Sequence, residues 1–144
     1  MSHLPPIRYI LPLASLCGGC KTIAEHVTSL AARGHDTEVW HLAGGWEWFG
    51  RSVPHRIFPH TDQLGAALQS FRGIKTATFW TTASWVVSNL HPGERGFYDV
   101  QDEDESTYSG SNAGTSYRLG LTPFTNGEFV AENLPAGRGS CGRE

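Results

Sequence analysis

The sequence has few lysines, few cysteines and no long apolar runs. Only two of its eleven basic residues are lysines, and there is a single methionine, a pattern typical of a GC-rich bacterial coding sequence. Three cysteines do not make the disulfide framework of a small secreted domain, so we expect a reducing, cytoplasmic location. No apolar run approaches the ~20 residues of a membrane helix, and the short run after Arg8 does not fit a signal peptide.

Positive charge is scarce as well. Eleven Lys and Arg face fourteen Asp and Glu, for a net charge of −3. Because phosphate contacts require clustered basic side chains, this balance predicts that the chain does not bind nucleic acid. The acidic excess comes from one cluster, and without its five members nine acids would face eleven bases: Asp99, Asp102, Glu103, Asp104 and Glu105.

Strand-like and helix-like patterns alternate along the chain, and its length of 144 residues fits one domain. Strands are predicted at residues 7–13, 37–42, 53–58, 74–79, 96–101 and 122–125. Helices are predicted from near Thr22, from Thr61 or Asp62, over 83–90, over 113–119 and after Asn126. This order predicts an α/β, Rossmann-like, doubly wound and mainly parallel sheet over residues 1–134. Residues 135–144 are predicted to be a disordered tail or a truncation scar.

In an open parallel sheet, ligands bind beyond the carboxyl ends of the strands. Four segments follow predicted strands and would share that edge: residues 15–20, 80–82, 101–105 and 125–127. We therefore expect the functional residues in these segments.

The first of these segments, which contains Cys17-Gly18-Gly19-Cys20, admits several interpretations. It lacks the glycines of a phosphate-binding loop at both ends of the motif. Cys17 and Cys20 at a helix start would suit a dithiol redox site, in which the helix dipole lowers a thiol pKa. Alternatively, Gly18 and Gly19 allow close backbone approach to a ligand, or the segment is simply a tight turn with two buried thiols. A zinc site is disfavoured because no second ligand pair has suitable spacing.

The other segments carry polar and aromatic groups. Trp80, Thr81 and Thr82 offer a stacking face and two hydroxyls that suit a sugar ring, or else they are core and helix-cap residues. Asp102 and Asp104 could chelate a hard cation, an acid here could bond a sugar hydroxyl, or the acids could be a solvated helix start.

Several motifs together resemble the GT-B glycosyltransferases of the large retaining class. The resemblance begins with Gly18-Gly19, with residues 22–26 and with Arg33-Gly34-His35. Residues 77–83, 98–102 and 115–121 resemble the rhamnosyltransferase-like branch of that class. The match extends over roughly residues 7–134.

The resemblance implies a two-domain enzyme that moves a hexosyl or deoxyhexosyl group from a sugar nucleotide to a glycan or lipid-linked acceptor. This chain would be the N-terminal, acceptor-binding domain, acting in the cytoplasm or at the inner face of the membrane. Gln101 and Asp102 would face the transferred sugar, and Gly18 and Gly19 would approach donor phosphate and acceptor. The implied fold needs no metal.

The chain also departs from that family. It has no counterpart of the C-terminal donor domain or of the acidic pair that holds the donor, so we expect no transfer by this chain alone. Trp80, Thr81, Thr82 and Asn126 complete the predicted substrate-binding residues. The alternatives are a dithiol redox protein and a non-catalytic binding domain, which could associate with a second copy of itself through the uncovered surface.

Overall fold

The computed structural model describes residues 5–14, 18–100 and 120–125, which form one six-stranded parallel sheet with helices on both faces. The strand order is β3-β2-β1-β4-β5-β6. The strands are β1 (Ile7–Ala14), β2 (Thr37–Gly44), β3 (His55–Ile57), β4 (Ile74–Ala77), β5 (Gly96–Val100) and β6 (Thr122–Thr125), and the helices are α1 (Gly18–Ala32), α2 (Thr61–Ser70) and α3 (Trp80–Ser88).

The first β1-α1-β2 unit follows directly from local sequence. Ile23 and Val27 are fully buried at helical spacing, which gives α1 its core-facing side. The helix ends where Gly34 adopts φ +93°, and the N–H of His35 then bonds the Leu30 carbonyl at 3.1 Å. β2 pairs in parallel with β1 over the whole of β1, apart from Pro12, which has no N–H to donate.

Each face of the sheet has its own core. The face under α1 buries a cluster that includes Tyr9, Leu11, Val27 and Val39. The opposite face buries a second cluster under α2 and α3. Its buried members are Ile10, Trp40, Phe58, Leu64, Leu68, Ala77, Ala83, Val86, Tyr98 and Leu121. The crossover from β1 to β2 runs in one direction along the sheet, and the crossovers from β3 to β4 and from β4 to β5 run in the other. Because right-handed crossovers in opposite directions lie on opposite faces, the sheet is doubly wound.

A buried ion pair connects β4 to the segment between α3 and β5. The ammonium of Lys75, which is fully buried on β4, donates to the carboxylate of Glu94 at 2.8 Å and to the Asn89 carbonyl at 2.7 Å. Burial alone would raise the pKa of Glu94, but the amide of His91 and the Lys75 ammonium lower it below its ordinary value. The pair satisfies a charge that would otherwise be costly inside the sheet.

The predicted fold class is confirmed: the chain is α/β and doubly wound, and its described strands are all parallel. Several boundaries differ from prediction, most of all at the start of α1 and between β4 and α3. α1 begins at Gly18 instead of near Thr22, and β4 ends at Ala77, so that α3 begins at Trp80. The predicted helices at 113–119 and after Asn126, and the tail at 135–144, lie outside the described residues. Among the residues described, no helix is both long and apolar enough to cross a membrane.

Candidate functional site at the carboxyl ends of β1 and β4

The strand order reverses between β1 and β4. From β1 the chain continues through α1 to β2 on one side, and from β4 it continues through α3 to β5 on the other. The two helices therefore leave the sheet on opposite faces, and in sheets of this topology the ligand crevice lies above the carboxyl ends of two such central strands. This is the edge at which the sequence places the candidate residues.

On the β1 side, Gly18 and Gly19 form the first turn of α1. The N–H groups of a first helical turn have no partners within the helix, and they favour an anion or a carbonyl oxygen. Cys20 is buried, with its sulfur 3.5 Å from the Leu13 carbonyl oxygen. Leu13 itself is 49% exposed, an unusual exposure for leucine in a central strand. Cys17, the other half of the predicted dithiol, lies outside the described residues.

On the β4 side, two threonine hydroxyls hold the crevice in shape. The hydroxyl of Thr78 donates to the Ile10 carbonyl of β1 at 2.8 Å. The hydroxyl of Thr82 accepts the N–H groups of Thr78 and Phe79, both at 3.1 Å, and donates to the Phe79 carbonyl at 3.0 Å. These bonds lock the turn from β4 into α3 and attach it to β1.

This geometry assigns different positions to the three residues predicted as a sugar-binding group. Thr82 is fully buried and its hydroxyl is engaged in the turn, so it shapes the site from beneath. Thr81 is half-buried in the first turn of α3, and Trp80 opens that helix. Substrate binding by Trp80, Thr81 and Thr82 stays a prediction. Gln101, Asp102 and Asn126 lie outside the described residues.

One acid of the predicted cluster is set apart from it. Asp99 lies within β5, is buried, and has its Oδ2 3.7 Å from Nδ1 of His26 on α1. Burial raises the pKa of Tyr9 above its ordinary value, and the Asp99 carboxylate adds to the rise. Burial lowers the pKa of His26, an effect that the Glu25 carboxylate partly offsets. Side chains alternate between the two faces of the sheet along Phe97, Tyr98 and Asp99 of β5. This alternation is the sequence signal that could have indicated that Asp99 is buried.

Sequence reasoning also missed an aromatic stack that follows β2. Nδ1 of the buried His41 donates to the Ala43 carbonyl at 2.8 Å, and its Nε2 accepts the indole N–H of Trp46 at 3.0 Å. Acceptance at Nε2 requires the neutral imidazole, and burial lowers the pKa of His41 in agreement with this. Trp46 packs on Trp48, with ring centroids 5.6 Å apart, and Trp48 packs edge-on against Phe49 at 5.9 Å.

Metal ligation has no support in the described part of the chain. Over residues 5–14, 18–100 and 120–125, no group of three or more His, Cys, Asp or Glu side chains is arranged to hold a metal ion. Asp102 and Asp104, the predicted alternative for a hard cation, lie outside those ranges.

Two solved structures share this fold. The chain superposes on an alpha-glucosyltransferase in complex with UDP-glucose and DNA containing an abasic site, with a TM-score of 0.62, 14% identity and 96% of this chain covered. It also superposes on an alpha-glucosyltransferase in complex with UDP and a 13-mer DNA containing an HMU base, with a TM-score of 0.58, 15% identity and 88% covered. The chain spans only 42% and 38% of those two chains. No protein-family model matches the sequence, and no curated protein does.

These structures correct one prediction. The exclusion of a nucleic-acid partner was wrong, because both structures of this fold contain DNA. Net charge was a poor guide because it averages over the whole chain, whereas the described residues hold eight Lys and Arg against seven Asp and Glu. A locally basic surface can contact phosphate in a chain that is acidic overall.

Proposed function

We propose that this chain is the acceptor-side half of a sugar-nucleotide-dependent glycosyltransferase that moves a hexosyl or deoxyhexosyl group to a glycan acceptor. The observation that carries the proposal is the parallel order β3-β2-β1-β4-β5-β6, which superposes over 96% of the chain on a structure that contains UDP-glucose. The ordered motifs that resemble the rhamnosyltransferase-like branch support the same class of reaction.

In this proposal the crevice between β1 and β4 holds the reacting groups. The first-turn amides of Gly18 and Gly19 contact a phosphate oxygen of the donor or an acceptor hydroxyl. Thr78 and Thr82 keep the opposite wall fixed, which holds the acceptor in one orientation and lowers the entropic cost of the reaction. Gln101 and Asp102, which follow β5 in the sequence, are the proposed sugar-facing residues.

The second half of the enzyme supplies the donor site. The chain spans about two fifths of each neighbouring structure, and we propose that a donor domain closes over the crevice. The chain alone then presents an acceptor surface without a complete active site. Sugar nucleotide is the only co-substrate that the proposal requires, and the reaction takes place in the cytoplasm.

A transfer assay tests the proposal directly. The product of the whole gene and the 144-residue chain are each incubated with labelled UDP-hexoses and nucleotide-activated deoxyhexoses. The acceptors are a panel of bacterial glycans and, separately, DNA containing an HMU base. We expect transfer to a glycan by the whole product and none by the chain alone. Transfer only to DNA would show that the acceptor is DNA and not a glycan. Transfer by the 144-residue chain alone would refute the claim that it lacks part of the active site. No transfer by the whole product would refute the proposed function.

A further inference from the structure

The loop that follows β2 places large aromatic side chains where the core does not need them. This aromatic loop, residues 44–51, contains a 3₁₀ turn, Glu47–Phe49, in which no residue is buried. Trp46 is buried and fills the core beneath the turn. Trp48 and Phe49 pack over Trp46 but stay partly accessible, so core packing explains the presence of Trp46 better than that of Trp48 and Phe49.

The accessible rings are held rigidly. The indole N–H of Trp48 donates to the Gly45 carbonyl at 2.8 Å, which fixes the plane of the ring. Trp46, which supports Trp48 from below, is itself fixed by His41. The Arg51 guanidinium lies 4.9 Å from the centroid of the Phe49 ring. A ligand that stacks here would therefore lose little affinity to the ordering of side chains.

The aromatic loop begins beside the candidate site. The last pair of residues between β1 and β2 is Ala14 with Gly44, and the preceding pair is Leu13 with Ala43. Gly44 adopts φ +89°, and a Cβ built on it would lie 1.7 Å from the Ala14 carbonyl oxygen. This close approach fixes the start of the loop against the carboxyl end of β1. Leu13, Ala43 and Gly44 are all exposed at this end of the two strands.

The charges around the rings select a ligand class. Glu47 is exposed, and its carboxylate folds back over Gly45, where a Cβ would lie 2.5 Å from Oε1. Arg51 is exposed, and its guanidinium lies over the ring of Phe49. A carboxylate and a guanidinium beside an aromatic face match the hydroxyls of a sugar, which both donate and accept hydrogen bonds. A phosphodiester backbone would be attracted by Arg51 but repelled by Glu47.

We propose that Trp48, Phe49, Glu47 and Arg51 form a subsite for a hexose or deoxyhexose ring of the acceptor glycan, one or more residues away from the reacting sugar. The C–H face of the ring packs on Trp48, while Glu47 and Arg51 bond its hydroxyls. That the bound sugar is part of an acceptor rests on the proposed function, but sugar binding at this loop requires neither a donor nor a transfer reaction.

The test uses the full 144-residue chain and two probes, maltohexaose and an α-linked rhamnose hexasaccharide, titrated by calorimetry. We expect one of them to bind, and W48A to weaken binding about tenfold or more, as for a central aromatic contact. W48F keeps a ring and should retain most of the affinity. R51A should weaken binding severalfold, whereas R56A should not. Arg56 is a matched control because it is exposed and stacks on Phe58 at 4.7 Å, within the cluster on the other face of the sheet.

The outcomes separate this proposal from the function proposed above. Absence of binding by both hexasaccharides, or equal binding by the parent chain, W48A and R51A, would overturn the subsite. The R51A and R56A pair decides the matter even if W48A does not fold, because both arginines are on the surface. Binding of HMU-containing DNA that R51A abolishes, without oligosaccharide binding, would make the loop a nucleic-acid contact instead. Glycan transfer by the whole product together with insensitivity to R51A would leave the function standing and refute the subsite alone.

Discussion

Replacement of Gly44 by alanine tests whether the carboxyl ends of β1 and β2 meet as described. The positive φ of Gly44 costs an alanine about 1 kcal/mol. The new Cβ would also meet the Ala14 carbonyl at 1.7 Å, so the backbone must move. That movement would break the 3.1 Å bond from the Gly45 N–H to the Ala14 oxygen. Loss of the bond and the overpacking add about 2–4 kcal/mol to the φ cost.

Gly50 provides the matched control. Its φ is +84°, almost the value at Gly44, but a Cβ there would meet nothing within 4 Å. G50A should therefore lose only the φ cost of about 1 kcal/mol, while G44A should lose about 3–5 kcal/mol. Urea unfolding followed by circular dichroism measures both losses of free energy. In thermal unfolding, the midpoint temperature should fall by ~4 °C for G50A and by about 10 °C or more for G44A. Equal destabilisation of the two variants would show that Gly44 does not contact β1, and the position of the aromatic loop would then be wrong.

Three further predictions concern buried polar groups. T78V should cost about 1–3 kcal/mol in urea unfolding because it leaves a β1 carbonyl unpaired, and Thr78→Ser should restore most of the loss. K75M should lower the free energy of unfolding by about 3–5 kcal/mol because it leaves the Glu94 carboxylate without its cationic partner. The double variant K75M/E94Q should recover part of that loss. A K75M variant as stable as the parent would contradict the buried ion pair. Since His41 has a lowered pKa in the folded state, the unfolded chain takes up its proton first, and stability should fall as pH drops below about 6.5. NMR titration should show His41 protonating below that pH and W46F raising its pKa, whereas an unchanged pKa would refute the indole bond.

The alternation of apolar patterns was enough to predict the fold class, because each helix and strand carries its own local signal. Gly34, for example, ends α1 in the left-handed conformation that its sequence position indicates. The start of α3 could not be placed from the sequence, because the signal there is a tertiary contact. The Thr82 hydroxyl accepts the Phe79 N–H and ends the strand early, which converts Trp80 from a strand end into a first helical turn.

The candidate site was only partly predictable, for a related physical reason. Strand topology places the carboxyl ends of β1 and β4 side by side, so the predicted segment 80–82 and the described part, 18–20, of the predicted segment 15–20 lie at one edge. Burial cannot be read from residue type alone: Asp99 was counted with the acidic cluster, yet it is buried inside the sheet near His26. The aromatic stack was missed because it depends on the tautomer of His41 and on the close packing at Gly44. Overall charge likewise could not exclude a nucleic-acid partner, because it does not say where on the surface the basic side chains lie.

The central claim is that the carboxyl edge of this sheet holds the acceptor in a sugar-nucleotide-dependent transferase. Hydrogen exchange of the whole gene product, measured with and without sugar nucleotide and acceptor glycan, tests it most directly. The account predicts new protection at residues 18–20, 45–51 and 79–82 and none at the opposite edge, residues 33–36 and 91–95. Protection confined to the opposite edge, or no change at the carboxyl edge under conditions where transfer occurs, would contradict it.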